Sequence, residues 1–349
     1  MRSFRKQIRP FGCLPCLFFS SAVAFFSRFL IFSFGKFTID KPRQNIVSLS
    51  QSKWHSSHRK EFFMEKLIQY RTKESLYDGA FNNDVGWHAA GMGYILVTEN
   101  GKLIVIDGGT PSDAEDFLAL LENAANGNKP EVALWIITHP HTDHDGVLTR
   151  ICQTPALSDR VTIKTLLYRF PEEFVEKNGN RSNIAANLRL TELSALCGAA
   201  HHQPELDEKI TIDGMEFHFL YYPYDCRIIN HIGNCNVCSL IFTVQGKNKK
   251  VMFTGDANSR NLQVVTWLYR KRLKCDILQM PHHALCDTGL MAFYKEVDAK
   301  ILLEPTCIAG DRAMHTAYEG KAHAADNVWA EQNAERIYRS FDGTVEMTL

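Results

Sequence analysis

Thr138-His139-Pro140-His141-Thr142-Asp143-His144-Asp145-Gly146 packs three histidines and two aspartates into one short run. Imidazole nitrogen and carboxylate oxygen are the ligands that suit zinc and its first-row neighbours. The spacing matters as much as the composition. His139 and His141 can grip one ion from the same side, while the next turn aims Asp143 and His144 at a second position beside it. The run follows directly on apolar residues 132–137, which read as a buried strand. A strand end holds ligands rigidly at the rim of a sheet. A polar loop with chance histidines seldom combines this density with a core strand before it.

Three more strand ends carry ligand types. Asp107 closes the apolar residues 103–106, Asp256 closes Thr254-Gly255-Asp256, and the pair His282-His283 follows Pro281 after residues 275–280. Each alone has an ordinary reading as a turn former or helix cap. In a layered α/β fold, however, polar residues at strand ends on one edge converge on one cleft, and that is where sites form.

The elements needed to position them are legible along the chain. Residues 94–98 and 103–106, with Glu99-Asn100-Gly101 between, predict a hairpin. Thr110 as N-cap, Pro111 at the first position and Asp113 at the positive end of the dipole predict a helix, with Leu118, Leu120 and Leu121 facing the core. Residues 147–152 predict a helix, 161–167 one strand, and 183–197 a helix. Residues 209–212 and 216–222 predict a second hairpin, and 239–244 and 250–253 two strands joined by Gln245-Gly246-Lys247. A helix over 258–272, strands over 275–280 and 301–303, and a helix over 325–334 follow. Residues 336–341 and 344–349 then predict a closing hairpin about Asp342-Gly343. No repeat at a fixed period is present.

The net charge of zero hides an asymmetry. Residues 1–63 hold 11 basic residues against Asp40 and Glu61, a balance of +9, and residues 64–349 carry −9. Residues 1–63 read as a basic, apolar-rich, poorly ordered extension, and 64–349 as the folded domain. Arg2, Arg5, Lys6 and Arg9 precede a Phe-rich uncharged run. An export signal, a marginal membrane anchor, a transit peptide and a spurious upstream extension before Met64 all fit it. Eight of the ten cysteines are scattered through the main domain, several in apolar runs, as reduced buried thiols would be. A cytoplasmic main domain is therefore expected, with membrane anchoring or export through residues 1–35 as the alternative. Cys235-x-x-Cys238 lacks a second pair nearby and reads as a strand with two inward thiols rather than a zinc or redox motif.

Asp107 after Leu-Ile-Val-Ile, the His139-x-His141-x-Asp143-His144 run, Thr254-Gly255-Asp256 and Pro281-His282-His283 together resemble the ordered motif set of the metallo-β-lactamase fold superfamily, over about residues 90–349. An Asn236-x-x-Ser239 strand, Thr-Gly-Asp and Pro-His-His are similar to the branch that includes the hydrolase domain of a DNA-uptake competence protein. The resemblance implies an α/β fold, an αββα sandwich of two mixed β-sheets flanked by helices, with a binuclear, usually zinc, cleft. It implies His139 and His141 at the first ion, Asp143 and His144 at the second, Asp256 bridging them, and one of His282 and His283 completing the second site. Asp107 would brace the His-rich turn from behind.

Two departures from the family pattern matter. The family's further histidine for the first ion stands in a Pro-Gly-His context, and here the comparable place reads Pro223-Tyr224-Asp225. Asp225 is expected to substitute, with His231 or a weak first site as the other readings. Ala284 stands where the branch has glycine, so a positive φ is less accessible there. His315 and His323 lie where the branch often places a substrate-facing histidine, and a surface-loop reading fits each as well.

The implied function is a metal-dependent hydrolase holding two Zn2+ per chain and acting on a small-molecule or phosphoester substrate. Phosphodiesters suit it, because two adjacent cations clamp attacking and leaving oxygens, and Asp143 would orient the attacking hydroxide and shuttle its proton. A β-lactam is not expected. An acidic main domain does not attract phosphate backbones non-specifically, which disfavours the alternative of a nuclease. A non-catalytic metal-binding or regulatory module with a degenerate first site is the reading from a different class. A redox enzyme on this fold would move the ligand set toward carboxylate, and His141 speaks against that.

Overall fold

In the computed structural model of the protein, residues 64–79, 90–170, 186–222, 235–285, 288–317 and 322–349 are described, with backbone alone at 186–189, 317, 322 and 323. They belong to the unit formed by residues 58–349. Residues 1–63, Asp225 and His231 lie outside the described set.

Fifteen strands among the described residues form two mixed sheets. The first runs β15 (Val345–Thr348), β1 (Lys66–Gln69), β2 (Gly93–Val97), β3 (Leu103–Asp107), β4 (Glu131–Ile136), β6 (Thr165–Leu167), β7 (Ala200–His202), with β5 (Thr162–Ile163) also on β4. The second runs β14 (Arg336–Arg339), β13 (Ile301–Glu304), β12 (Ile277–Gln279), β11 (Lys250–Phe253), β10 (Ile241–Gln245), β9 (Met215–Tyr221), β8 (Lys209–Ile212). Both are antiparallel on one side and parallel on the other.

Central strands are apolar on both faces because both faces are covered. Tyr94, Leu96, Ile104 and Ile106 point inward and meet Phe217, Phe242, Val251 and Phe253 of the opposite sheet in one core. Their neighbours Ile95, Val97 and Val105 point outward. There they pack on α1 (Ala114–Ala124), α2 (Thr142–Cys152) and α3 (Ala186–Leu196), through residues such as Phe117, Leu148 and Leu193. The outer face of the second sheet, with Met252, Leu278 and Leu302, is covered by α4 (Ser259–Tyr269), α5 (Met291–Val297) and α6 (Ala322–Asn333). Helix, sheet, sheet, helix is the layering the family resemblance implies. Each fully buried Leu, Ile or Phe contributes roughly 1.5–3 kcal/mol, so the three apolar clusters dominate the stability.

Register carries the functional strand ends to one edge. In the parallel β3–β4 pair Ile106 lies opposite Ile136, so Asp107 ends beside the start of the His-rich run. In the parallel β11–β12 pair Met252 lies opposite Leu278, so the segments after both strands leave the second sheet side by side.

Several local expectations are corrected. Residues 336–341 and 344–349 form no hairpin: β14 joins the second sheet and β15 the first, with a 3-10 turn at Ser340–Asp342 and Gly343 at φ 140° carrying the chain across. Cys235–Cys238, and with it Asn236, forms a 3-10 turn rather than a strand, both cysteines buried. Residues 161–167 divide into β5 and β6. Thr110 and Asp113 form a capping box on a 3-10 turn, Pro111–Asp113, that precedes α1. The helix placed at 147–152 begins five residues earlier, at Thr142. β1 has no counterpart among the sequence-derived elements, its four residues being too few for a clear periodic signal. Among the described residues no helix is long and apolar enough to cross a membrane.

Candidate metal centre

His139 and His141 leave the end of β4, and Asp143 and His144 occupy the first turn of α2, where acidic side chains also meet the positive end of the helix dipole. Asp256 follows β11, and His282-His283 follow β12. These residues converge. His139 Nε2 lies 3.0 Å from His141 Nδ1 and 3.5 Å from Asp256 Oδ2. Asp143 Oδ2 lies 3.1 Å from His283 Nε2 and 3.4 Å from His144 Nε2. His144 Nε2 is 3.3 Å from Asp256 Oδ1, and His283 Nε2 is 3.5 Å from Asp256 Oδ2. Ligands about 2.1 Å from one tetrahedral ion sit roughly 3.4 Å apart, which is the spacing found here.

Two groups result, His139–His141–Asp256 and Asp143–His144–Asp256–His283, each with its ligand atoms within 4.8 Å of one another. Asp256 belongs to both. Buried Nε2 of His144, Nε2 of His283 and Oδ1 of Asp256 have no hydrogen-bond partner among the described residues. Leaving such atoms bare costs about 1–3 kcal/mol apiece, and a cation satisfies all three together. The residues present therefore fit a metal.

The supporting shell explains why these atoms point inward. Asp107 Oδ1 accepts from Thr138 N at 2.8 Å, and its Oδ2 accepts from Thr138 Oγ1 and faces His144 Nδ1, each at 2.8 Å. That leaves His144 Nε2 for the cleft. His283 is oriented in the same way, its Nδ1 2.7 Å from the Pro305 carbonyl. Asp256 N donates to Ser239 Oγ, and Gly255, at φ 52°, has no room for a side chain because Thr138 lies against it. Gln279, fully buried, accepts from Thr254 N and Gly255 N through Oε1. Its amide holds the loop that aims Asp256.

Electrostatics follow from burial and neighbours. Burial pushes the His139 imidazole well below its ordinary range, with His144 adding to the effect, and burial lowers His141 too, so both offer lone pairs. Burial alone would raise the carboxyls of Asp143 and Asp256. The surrounding imidazoles outweigh it and hold both well below the usual carboxylate range. Burial works against charge on His144 and His283 as well. Asp256 and Asp143 overcome it, raising His144 well above its ordinary value and His283 to about 10. Two ionised carboxylates in an interior require positive charge beside them, from protons or from cations.

Of the residues singled out in the sequence, His139, His141, Asp143, His144, Asp256 and His283 come together, with Asp107 directly behind. His282 is adjacent, its Nε2 2.9 Å from Asn236 Nδ2 and 3.8 Å from Asp256 Oδ2. Ala284 does adopt the left-handed backbone, at φ 58°, following His282 and His283 at 47° and 55°. A side chain there costs about 1–2 kcal/mol, and this strain sits beside the site. Asp225 lies outside the described residues. His315 is not in either ligand group; its Nδ1 is 2.8 Å from the Asp311 carbonyl and its Nε2 2.9 Å from Glu331. His323 lies in α6, its side chain not described. Sequence reading missed Thr138, Gln279 and the Pro305 carbonyl. For Gln279 a signal existed: an amide inside an apolar strand must find partners.

A family model described as the metallo-beta-lactamase superfamily matches residues 93–301. No curated protein matches the chain. Among solved structures, the metallo-beta-lactamase fold protein YhfI from Bacillus subtilis is 12% identical over 81% of this chain and 100% of its own, with a TM-score of 0.47. Zn(2+)-bound PqqB from Methylobacterium extorquens is 9% identical over 82% of this chain and 100% of its own, TM-score 0.47. CmlA, a diiron beta-hydroxylase from Streptomyces venezuelae, is 10% identical over 82% of this chain and 54% of its own, TM-score 0.48. The family match spans more than half of the chain and takes in the His-rich run, Asp256 and the histidine pair, and on that footing the protein belongs to the metallo-beta-lactamase superfamily.

Proposed function

We propose that the protein is a metal-dependent hydrolase with a binuclear zinc site, acting on a phosphoester or another ester-type bond. The observation that carries this reading is the pair of ligand groups sharing Asp256. In it His139 and His141 would hold one ion, Asp143, His144 and His283 the other, and Asp256 would contribute to both. A set dominated by imidazole suits zinc. When bound, the ions supply Lewis acidity and bring the pKa of water near 7.

The chain's own part is positioning and proton transfer. Asp256 is almost wholly buried, whereas the Asp143 side chain keeps 16% exposure and so reaches the cleft. Held ionised by His144 and His283, Asp143 accepts a proton from the attacking water as its oxygen bonds to the phosphorus or carbonyl carbon. It returns that proton to the leaving oxygen as the old bond breaks. No serine or cysteine nucleophile is needed. Cys152, Cys197 and Cys275 are free thiols, which supports a main domain in a reducing compartment, the cytoplasm. The acidic balance of residues 64–349 favours small phosphoesters over nucleic acid.

Metal content per chain, measured together with turnover of a generic phosphodiester, a thioester and a lactone, tests this reading. Two zinc ions and turnover of one of the three are expected. His139→Ala should lose metal and at least about a hundredfold in rate with its circular dichroism unchanged. Normal zinc content and undiminished turnover in that variant would overturn the assignment.

A further inference from the structure

Among the described residues, the first ligand group consists of His139, His141 and Asp256, and Asp256 belongs to the second group as well. His282 stands next to it. Its Nε2 is 3.8 Å from Asp256 Oδ2, the same oxygen that lies 3.5 Å from His139 Nε2 and 3.5 Å from His283 Nε2. Ligands of one tetrahedral ion sit roughly 3.4 Å apart, so the His282–Asp256 separation is near that of a shared ion, while His282 lies outside both ligand groups as they stand and has to turn toward His139 and His141 to join the first.

The backbone explains how adjacent residues can both face the cleft. In an extended strand neighbouring side chains point to opposite faces. Here His282, His283 and Ala284 are left-handed in succession, and the imidazole centroids of the pair are 6.0 Å apart. His282 N donates to the Gly255 carbonyl at 3.1 Å, which ties the turn to the residue before Asp256. The buried Asn236 amide meets His282 Nε2 at 2.9 Å. An amide N–H and a cation compete for one imidazole lone pair, so Asn236 marks the atom that would ligate and holds it near its place.

We propose that His282 completes the first metal position through Nε2, so that the Pro-His-His turn serves both ions, His282 the first and His283 the second. This rests on the binuclear reading above. The His-rich run and Asp256 then need no further ligand from the segment around Asp225.

Zinc stoichiometry after exhaustive dialysis, with the visible spectrum of the cobalt(II)-substituted full-length chain, decides it. The wild type should hold two ions. His282→Ala should hold one, with cobalt bands reduced to those of the remaining site, and Asp225→Asn should hold two. Asn236→Ala should keep two and bind the first at least as tightly, since the competing donor is gone. Circular dichroism establishes folding; should His282→Ala fail to fold, His282→Gln, which leaves Asn236 a partner, carries the same comparison. Two ions and an unchanged cobalt spectrum in the His282 variant overturn the proposal while leaving the binuclear reading intact. Fewer than two in the wild type overturns that reading itself.

Discussion

Asp107 belongs to neither candidate ligand group and yet braces one of their residues from behind. Its carboxylate takes the Thr138 amide, the Thr138 hydroxyl and His144 Nδ1, all at 2.8 Å and all without solvent. Asp107→Asn puts an N–H2 where one of these donors must be received, so the imidazole loses its orientation. Zinc affinity should fall about 10–100-fold. Stability should fall by roughly 1–3 kcal/mol from the bare donor left behind. Competition with a chromophoric chelator and urea unfolding measure the two, and unchanged zinc affinity would sink the bracing role. At this scale the sequence is informative about residue type and uninformative about direction. His282 and His283 are indistinguishable as letters. A left-handed run and the Pro305 carbonyl separate them in space.

At the scale of elements, the His-rich run is the beginning of α2 rather than a loop ahead of it, and Gly146 shows what that requires. Glycine inside a helix is ordinarily destabilising against alanine by about 1 kcal/mol, so Gly146→Ala would stabilise a free helix. Here a Cβ would lie 2.5 Å from Pro111 Cδ, 2.7 Å from Pro111 N and 2.9 Å from the Gly109 carbonyl. That carbonyl already accepts from Val147 N, and backbone yields little. We expect Gly146→Ala to destabilise by about 1–3 kcal/mol, as overpacking does, and to weaken zinc binding by displacing the first turn that carries Asp143 and His144. A gain in stability by urea unfolding would show that the Pro111 turn gives way. The helix start was hidden in the sequence because Asp, His and Thr are weak helix formers, and the apolar pattern announces itself only from Val147.

For the whole molecule, the candidate ligands come from both sheets. His139 to His144 follow β4 of the first, and Asp256 and His283 follow β11 and β12 of the second. Ions held there would join the two halves of the sandwich at its edge, while the apolar core joins them inside. Any ion that binds the folded chain alone stabilises it by mass action, about 2.7 kcal/mol at a hundred times its dissociation constant. Chelation should lower the midpoint of thermal unfolding by at least a few degrees, and zinc but not magnesium should restore it. A midpoint indifferent to chelator, in protein whose zinc is shown to have gone, would mean that the ions do not bridge the sheets. β14 and β15 make the same connection covalently, and no local pattern announces it. A Gly-containing break between two short strands looks identical whether the chain returns to its own sheet or crosses to the other.

The sequence by itself determined most of the strands and helices, the four strand ends that carry ligand-type residues and the chemistry these offer, because apolar periodicity and residue type are local properties; the layering came from the resemblance. The ordered His-x-His-x-Asp-His, Thr-Gly-Asp and Pro-His-His motifs carried the superfamily, which the family match bears out. Only the tertiary structure decided that Asp256 lies between two ligand groups and that His283 joins the second of them. The same holds for the support of the loops around them by Gln279 and the Pro305 carbonyl. Those relations depend on strand register and on three left-handed residues in a row, and both arise from packing between segments that are not adjacent in the chain, such as Gln279 on Thr254 and His283 on Pro305.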